Sequence, residues 1–230
     1  MLNGIEAMGT LERAINAEEA PAYALDLDLV EIGALSAMER DAALGVLSRG
    51  MRDNPLHVRV FGNDPDVREQ RLAAMFGASF AVMGLHEQML VARDVRGRIL
   101  AVCGMTPPGT PPPTQLQQLH IMPRLMAMGP GAAFLTIRWL KAWTDRDPRE
   151  PHWHLGPLAV DAGLQGRGIG SRLMKVVCAR LDAARDIARL ETDKPENVRF
   201  YQRLGFTVAA DTEVLGLPNW FMVRRPSRRS

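Results

Sequence analysis

Hydrophobic and polar positions alternate with two different periods along this chain of 230 residues, and the order of these periods predicts an α/β protein. Residues 24–32 alternate leucines with acidic residues, and this period of two predicts a half-buried strand. Helical patterns begin at Ser36 and again at Pro65, where proline suits the first helical position. Two β-prone runs, 89–93 and 98–105, flank a polar turn and predict a hairpin.

The middle of the chain is interrupted by prolines. Residues 106–115 contain five of them, which excludes a helix or an inner strand there. From 116 to 147 the pattern predicts a helix that is interrupted near Pro123 and again at 129–131. The tryptophans of this stretch lie at helical spacings, and we expect them to pack in a core rather than to bind a cofactor.

Strands and helices alternate from residue 152 onward, which requires parallel crossovers and therefore predicts a mixed sheet. We expect one domain over residues 23–225, preceded by an extension at 1–22 that is helical or partly ordered and followed by a basic tail at 226–230. The predicted strands of the second half are 152–160, 187–192, 206–214 and 219–225, and its predicted helices are 168–185 and 195–204.

Composition narrows the class of protein without identifying it. With 28 basic and 26 acidic residues the net charge is +2, which is too balanced for a protein that coats nucleic acid, and the arginine-rich end is more typical of a solvated tail. Having only Cys103 and Cys178 excludes a disulfide scaffold or a cysteine-rich metal site, and we expect both in the core. No apolar stretch approaches the roughly 20 residues of a membrane span, and no secretory signal is visible. We therefore expect a cytoplasmic protein with no membrane or nucleic-acid partner.

A glycine-rich turn between a strand and a helix carries the clearest chemical signal. Three glycines fall within five residues, at Gly166, Gly168 and Gly170. Glycine lets the backbone approach a ligand closely, and the N–H groups of the first helical turn have no helical partner and lie at the positive end of the helix dipole. The turn therefore predicts a phosphate or pyrophosphate site, to which Arg167 could add a charge. A tight packing corner is the alternative.

Two common phosphate motifs fit this turn poorly. No lysine follows the glycines, as a P-loop requires, and the G-x-G-x-x-G fingerprint of dinucleotide-binding proteins is incomplete. Glu191 does lie at the distance expected of a ribose-binding acid, so a dinucleotide oxidoreductase stays open at this point.

The turn and a second motif together resemble the GNAT superfamily of N-acetyltransferases. Gln165-x-x-Gly168-x-Gly170 resembles the acetyl-CoA pyrophosphate loop of that superfamily, and residues 197–206 resemble its second signature. The stretch 188–214 is most similar to the puromycin N-acetyltransferase branch. The likeness covers about 152–225, a third of the chain, and the first half agrees only in the order of its elements.

This resemblance implies a twisted mixed sheet with helices on both faces, splayed apart at the strand that ends at Val160. It implies acetyl-CoA as co-substrate, a small-molecule amine as acceptor, and a monomer or homodimer. The Pro-rich loop and helix 131–145 would roof the acceptor site. The residues implied are Leu158, Ala159 and Val160 for the pantetheine arm, Gln165, Gly166, Arg167, Gly168, Ile169, Gly170 and Ser171 for the pyrophosphate, and Asn197 for the pantetheine side.

Acetyl transfer by direct attack needs a base for the amine and an acid for the leaving thiolate. Tyr201 is the expected acid, because it lies one helical turn beyond Asn197 and the family assigns this role to a matching tyrosine. His154 is the expected base, although the puromycin branch has an aromatic residue there and a structural histidine fits equally well. Two alternatives for the base stay open, Glu191 and a chain of water molecules. Glu191 could equally be a structural carboxylate that pairs with Arg189 or Arg203.

Three other interpretations are also compatible with these motifs. His152 and His154 are spaced as a metal pair, but no third ligand is evident, and we expect no metal. The fold could serve a non-catalytic acyl-CoA-binding regulatory module. The acceptor could also be a protein lysine or an α-amino terminus rather than a small molecule.

Overall fold

A computed structural model describes residues 26–83, 89–111 and 114–226. The predicted extension at 1–22 and residues 227–230 of the predicted tail lie outside this part of the chain. The described strands are β1 (Glu31–Ala34), β2 (Met89–Arg93), β3 (Ile99–Thr106), β4 (Trp153–Val160), β5 (Ala188–Thr192), β6 (Thr207–Val214) and β7 (Leu217–Arg224). The described helices are α1 (Arg40–Met51), α2 (Pro55–Phe61), α3 (Pro65–Met83), α4 (Gln115–Ala127), α5 (Pro130–Thr144), α6 (Ile169–Ala184) and α7 (Pro195–Gln202).

All seven strands form one sheet in the order β1-β2-β3-β4-β5-β7-β6. Every neighbouring pair is antiparallel except β4 and β5, which are parallel and are connected by α6. The mixed sheet is therefore confirmed, since one parallel pair of neighbouring strands is built into an otherwise antiparallel sheet.

The sheet opens between its two parallel strands. β4 and β5 pair only at Trp153↔Ala188 and His154↔Arg189, whereas β4 stays paired with β3 as far as Val160. From Leu155 onward the edge of β4 that faces β5 therefore has no partner among the described strands. The predicted splay is present, and it begins inside β4.

Helices cover both faces of the sheet, and each face has its own apolar core. The five helices α1–α5 pack on one face and α6 and α7 on the other. Trp139 of α5 is buried in the first core, as predicted, and Cys103 and Cys178 are buried in the second. No helix in the described ranges is long and apolar enough to cross a membrane.

Helix α6 shows how the sequence specifies an element locally. Gly168 caps its start in the left-handed conformation with φ +84°, and apolar residues then recur on one face at intervals of four. Helix α6 ends at Ala184, where Arg185 adopts φ +60° and donates its N–H back to Leu181 and Asp182. The residues buried on that face are Ile169, Leu173, Met174, Val177, Cys178 and Leu181.

The strand predicted over 24–32 is observed only at its end, and residues 24 and 25 lie outside the described part of the chain. Leu27–Leu29 form a turn of 3₁₀ helix instead, and the strand begins only at Glu31. The Asp26 carboxylate accepts the backbone N–H of Asp28 at 2.9 Å, which fixes the turn. Extended pairing starts only where the chain reaches β2, at Glu31↔Arg93.

One prediction about helices also needs correction, and one short helix was not predicted. Pro123 does not interrupt its helix but lies inside α4, because the carbonyl it deprives of a partner belongs to Leu119 on the solvent side. The break predicted at 129–131 is real, since Gly129 has φ +98°. The short helix α2 was not predicted; it is capped from across the molecule, where the Asp193 carboxylate accepts the N–H of Leu56 at 2.7 Å.

Candidate active site

The turn that leads from β4 into α6 exposes its backbone. Gly166 and Gly168 have φ of +76° and +84°, and a Cβ at Gly166 would meet no other described residue within 4 Å apart from its two chain neighbours. The hydrogen bonds of α6 begin with Arg172 N–H on the carbonyl of Gly168. The N–H groups of residues 169–171 therefore stand outside the helical ladder at the positive end of the helix dipole. This arrangement suits an anion.

The side chains of this turn differ in what they can do. Arg167 is exposed and free to reach a ligand, whereas Ile169 is buried and only its backbone can contribute. The Gln165 amide is already engaged, because Nε2 donates to the carbonyls of Gly50 at 2.9 Å and Val160 at 3.2 Å. Gly170 and Ser171 are half-buried at the start of α6.

The open edge of β4 lies next to this turn. Leu158 and Val160 are half-buried, Ala159 is buried, and all three pair with β3 on one side only. Across the opening, Asn197 of α7 donates from Nδ2 to the hydroxyl of Thr192 at 3.1 Å. An extended ligand entering the opening would find backbone groups of β4 on one wall and the Asn197 amide on the other.

His154 and Glu191 meet where the parallel strands part. Nε2 of His154 lies 2.7 Å from Oε2 of Glu191, with the histidine side chain 38% exposed and the carboxylate side chain 8% exposed. Burial lowers the pKa of His154, but the charge and hydrogen bond of Glu191 outweigh it and raise the pKa above its usual value. Glu191 therefore pairs with the histidine, and the suggested pairing with Arg189 or Arg203 is wrong.

Tyr201 lies in the core beside this pair. Its ring packs edge-on against Phe200 and Phe206, at centroid distances of 5.0 Å and 5.7 Å. Burial raises the pKa of Tyr201, and the nearby Cys103 and Glu191 raise it further, so the phenol stays protonated. Its hydroxyl forms no hydrogen bond within the described part of the chain and is available to another partner.

The remaining candidate residues are occupied or inert. Nδ1 of His152 bonds the carbonyl of Glu150 at 2.7 Å, and its Nε2 lies 3.0 Å from Asp147. Over residues 26–83, 89–111 and 114–226, no group of three His, Cys, Asp or Glu side chains could hold a metal ion. Burial raises the pKa of Cys103 to about 12 and raises that of Cys178 as well, so neither thiol is a nucleophile at neutral pH.

These features are those of an acetyltransferase. The model of the acetyltransferase (GNAT) family matches residues 85–206, more than half of the chain, and the chain belongs to this family. It is an acyltransferase, and its co-substrate is acetyl-CoA. The dinucleotide oxidoreductase interpretation of the glycine turn is therefore wrong.

Several solved structures share the fold at low sequence identity. One is a Corynebacterium glutamicum structure described as histone acetyltransferase HPA2 and related acetyltransferase. Its sequence is 22% identical to this chain, and the two structures superpose with a TM-score of 0.66 over 87% of this chain and 98% of that one. The polyamine N-acetyltransferase of Drosophila melanogaster is 17% identical with a TM-score of 0.56, over 85% and 99%. Arylalkylamine N-acetyltransferase 2 from Aedes aegypti is 14% identical with a TM-score of 0.54, over 86% and 99%. At such identities these similarities establish the fold alone.

Proposed function

We propose that this enzyme moves an acetyl group from acetyl-CoA to the amine of a small molecule by direct attack, with His154 as base and Tyr201 as acid. The observation that carries the proposal is the 2.7 Å contact between His154 and Glu191 at the mouth of the opening in the sheet. The contact puts a titratable imidazole beside the gap and fixes its orientation.

The exposed glycine turn and the open edge of β4 fit acetyl-CoA. The N–H groups of residues 169–171 and the Arg167 side chain would hold the pyrophosphate, Leu158 to Val160 the pantetheine arm, and Asn197 the far side of that arm. Gln165 would contribute through its backbone, because its amide is engaged elsewhere. Bound acetyl-CoA supplies an acetyl group activated as a thioester.

His154 has the geometry of a base. In its neutral form Nε2–H donates to Glu191, which leaves the lone pair of Nδ1 to accept a proton. Glu191 is thus a positioning residue that selects this tautomer and makes the imidazole more basic. An amine of pKa near 10 would lose its proton to such a base more easily than to bulk water.

Tyr201 suits the second proton transfer. Its hydroxyl has no partner among the described residues and stays protonated over the whole physiological range. It can therefore donate its O–H to the sulfur of the leaving group as the C–S bond breaks and negative charge develops there.

Support for the acceptor class comes from relatives and from the sequence rather than from the site. The Drosophila melanogaster relative is described as catalysing the formation of N-acetylagmatine and the Aedes aegypti relative as an arylalkylamine N-acetyltransferase. Residues 188–214 resemble the puromycin N-acetyltransferase branch, whose acceptor is also a small amine. The Corynebacterium glutamicum structure carries the name of a histone acetyltransferase, which keeps a protein acceptor as the second candidate. The roof formed by the Pro-rich loop and α5 stays a prediction.

Release of free thiol from acetyl-CoA tests the proposal directly. The acceptor panel should contain aminonucleosides, agmatine, arylalkylamines, and lysine and N-terminal peptides. Turnover of small amines with little turnover of peptides is the expected result, and turnover of peptides alone would establish protein acetylation. Binding of acetyl-CoA without thiol release to any acceptor would favour a regulatory module.

A further inference from the structure

The C-terminal end of α1 is attached to the turn between β4 and α6 at three points. Nη2 and Nε of Arg49 lie 2.6 Å and 3.3 Å from the same Asp161 carboxylate oxygen. Asp161 is the first residue after β4, so this ion pair joins α1 to the start of the glycine turn. We call Arg49, Gly50, Asp161 and Gln165 the α1 clamp.

The Gln165 amide forms the second attachment. It donates to the carbonyl of Gly50 in the last turn of α1 and to that of Val160 at the end of β4. Carbonyls in the last turn of a helix have no helical partner, so the amide satisfies a group that would otherwise need water. One side chain thus holds a helix end, a strand end and the glycine turn together.

The third attachment is direct backbone contact at Gly50. A Cβ at this position would overlap the carbonyl oxygen of Val160 and lie 3.1 Å from the Cβ of Ala159. Only glycine therefore lets α1 approach the end of β4 this closely. The approach in turn brings Arg49 and the Gly50 carbonyl within reach of their partners.

The two side-chain contacts of the α1 clamp are poorly placed to stabilise the fold. The Arg49 side chain is 43% exposed and Gln165 is exposed, and ion pairs so exposed contribute little to folding. They are well placed to fix a loop, because all of them converge on the segment that leads from β4 to the exposed N–H groups of α6.

We infer that the α1 clamp positions the glycine turn for acetyl-CoA, and that Arg49, Gly50 and Gln165 are positioning residues for co-substrate binding. The inference rests on the assignment of this turn as the pyrophosphate site. A loop held in one place loses less conformational freedom when it binds a ligand, so the clamp raises the affinity for acetyl-CoA. It leaves the chemistry at His154 and Tyr201 untouched.

The test compares Arg49→Gln and Gln165→Ala with the wild-type enzyme. We expect the Kd for acetyl-CoA, measured by calorimetry, and its KM to rise about two- to fivefold for Arg49→Gln, the effect of losing a partly exposed ion pair. For Arg49→Gln, the KM for the amine and the kcat at saturating acetyl-CoA should not change. A merely structural role would not separate the two substrates in this way.

Further variants sharpen the test. Gly50→Ala should weaken acetyl-CoA binding about tenfold, because its Cβ pushes α1 away from β4. The double variant Arg49→Gln/Asp161→Asn should bind like each single variant if the two residues act as a unit. If Gly50→Ala does not fold, the Arg49 and Gln165 variants decide the question.

Matched controls exist elsewhere in the chain. Arg225→Gln breaks another exposed ion pair, with Glu150 at 2.8 Å, and Gly77→Ala adds a Cβ in α3 whose nearest neighbour lies 3.9 Å away. Both should bind acetyl-CoA like the wild type. Clamp variants that fold and bind as tightly as these controls would overturn the inference, whereas a wild-type protein that does not bind acetyl-CoA at all would contradict the proposed function instead.

Discussion

Helices α6 and α4 lie on opposite faces of the same sheet and differ sharply in how they are held. α6 buries six residues along one face, while α4 buries only Leu125. Four large apolar side chains of α4 are exposed instead: Leu116, Leu119, Met122 and Met126. The face that presents the predicted acetyl-CoA site is thus fixed by its own core, and the opposite face carries a helix that contributes little to the core.

The comparison indicates that the two helices meet different structural requirements. A site for a constant co-substrate needs a helix whose start is fixed by dense packing. A loosely held N-terminus could not present its N–H groups in one place. The α4 helix is under no such constraint. Four experiments, from the largest expected effect to the smallest, test the site on the α6 face and the packing of the two helices.

Tyr201→Phe removes the proposed acid while keeping the ring packed on the α6 face. We expect kcat to fall about a thousandfold, since the leaving thiolate loses its proton donor. The Kd for acetyl-CoA should stay nearly constant, because the hydroxyl has no partner to lose among the described residues. Thiol release and calorimetry on the same preparation measure both, and unchanged turnover would remove Tyr201 as the acid.

Leu173→Ala tests the packing of α6 itself. The side chain is fully buried, so the substitution should lower the free energy of unfolding by about 3 kcal/mol. Leu119→Ala, on the exposed face of α4, should change it by less than about 0.5 kcal/mol. Urea denaturation compares the two, and equal losses would mean that α4 is held as firmly as α6.

His154→Ala removes the proposed base at the opening. We expect kcat to fall about a hundredfold, which is less than for Tyr201→Phe because water can take over part of the proton transfer. The rate of the wild type should rise with pH as His154 loses its proton, and this acidic limb should disappear in the variant. A variant whose pH profile matches the wild type would exclude His154 as the base.

Glu191→Gln should leave the base in place but change where it titrates. The carboxylate raises the pKa of His154 against the effect of burial, so its removal lowers that pKa and moves the acidic limb of the rate to lower pH. The pair formed by protonated His154 and Glu191 also contributes to the free energy of unfolding. Because the pKa of His154 is higher in the folded protein, this contribution is fully present below the unfolded pKa of about 6.5 and is lost as pH rises through the higher folded value. If the acidic limb of the pH–rate profile stays at the same pH in Glu191→Gln, Glu191 does not act on His154.

The sequence predicted the local features of the site well. The helix expected over 168–185 is observed over 169–184, because a glycine cap and an apolar repeat of four specify its start and its buried face. The strand predicted over 24–32 failed at residues 27–29 for the opposite reason. Alternating leucines fit an extended strand and a 3₁₀ turn equally well, and the pairing with β2 that decides between them is not local.

The pair formed by His154 and Glu191 shows what could not be predicted. Both residues were candidates, but they lie 37 positions apart, and only the parallel register of β4 and β5 brings them together. The engagement of Gln165 with α1 is similar, since 115 residues separate it from Gly50. Sequence proximity carries no signal for either contact.

The sequence by itself determined the family, the glycine turn and the helix behind it, because these depend on short-range spacing and on backbone conformations that only certain residues adopt. The tertiary structure alone decided the partner of His154, the residue of β4 at which the sheet opens, and the attachment of α1 to the glycine turn. These depend on strand register and on how closely two backbones approach, which are properties of the packed chain and not of any single segment.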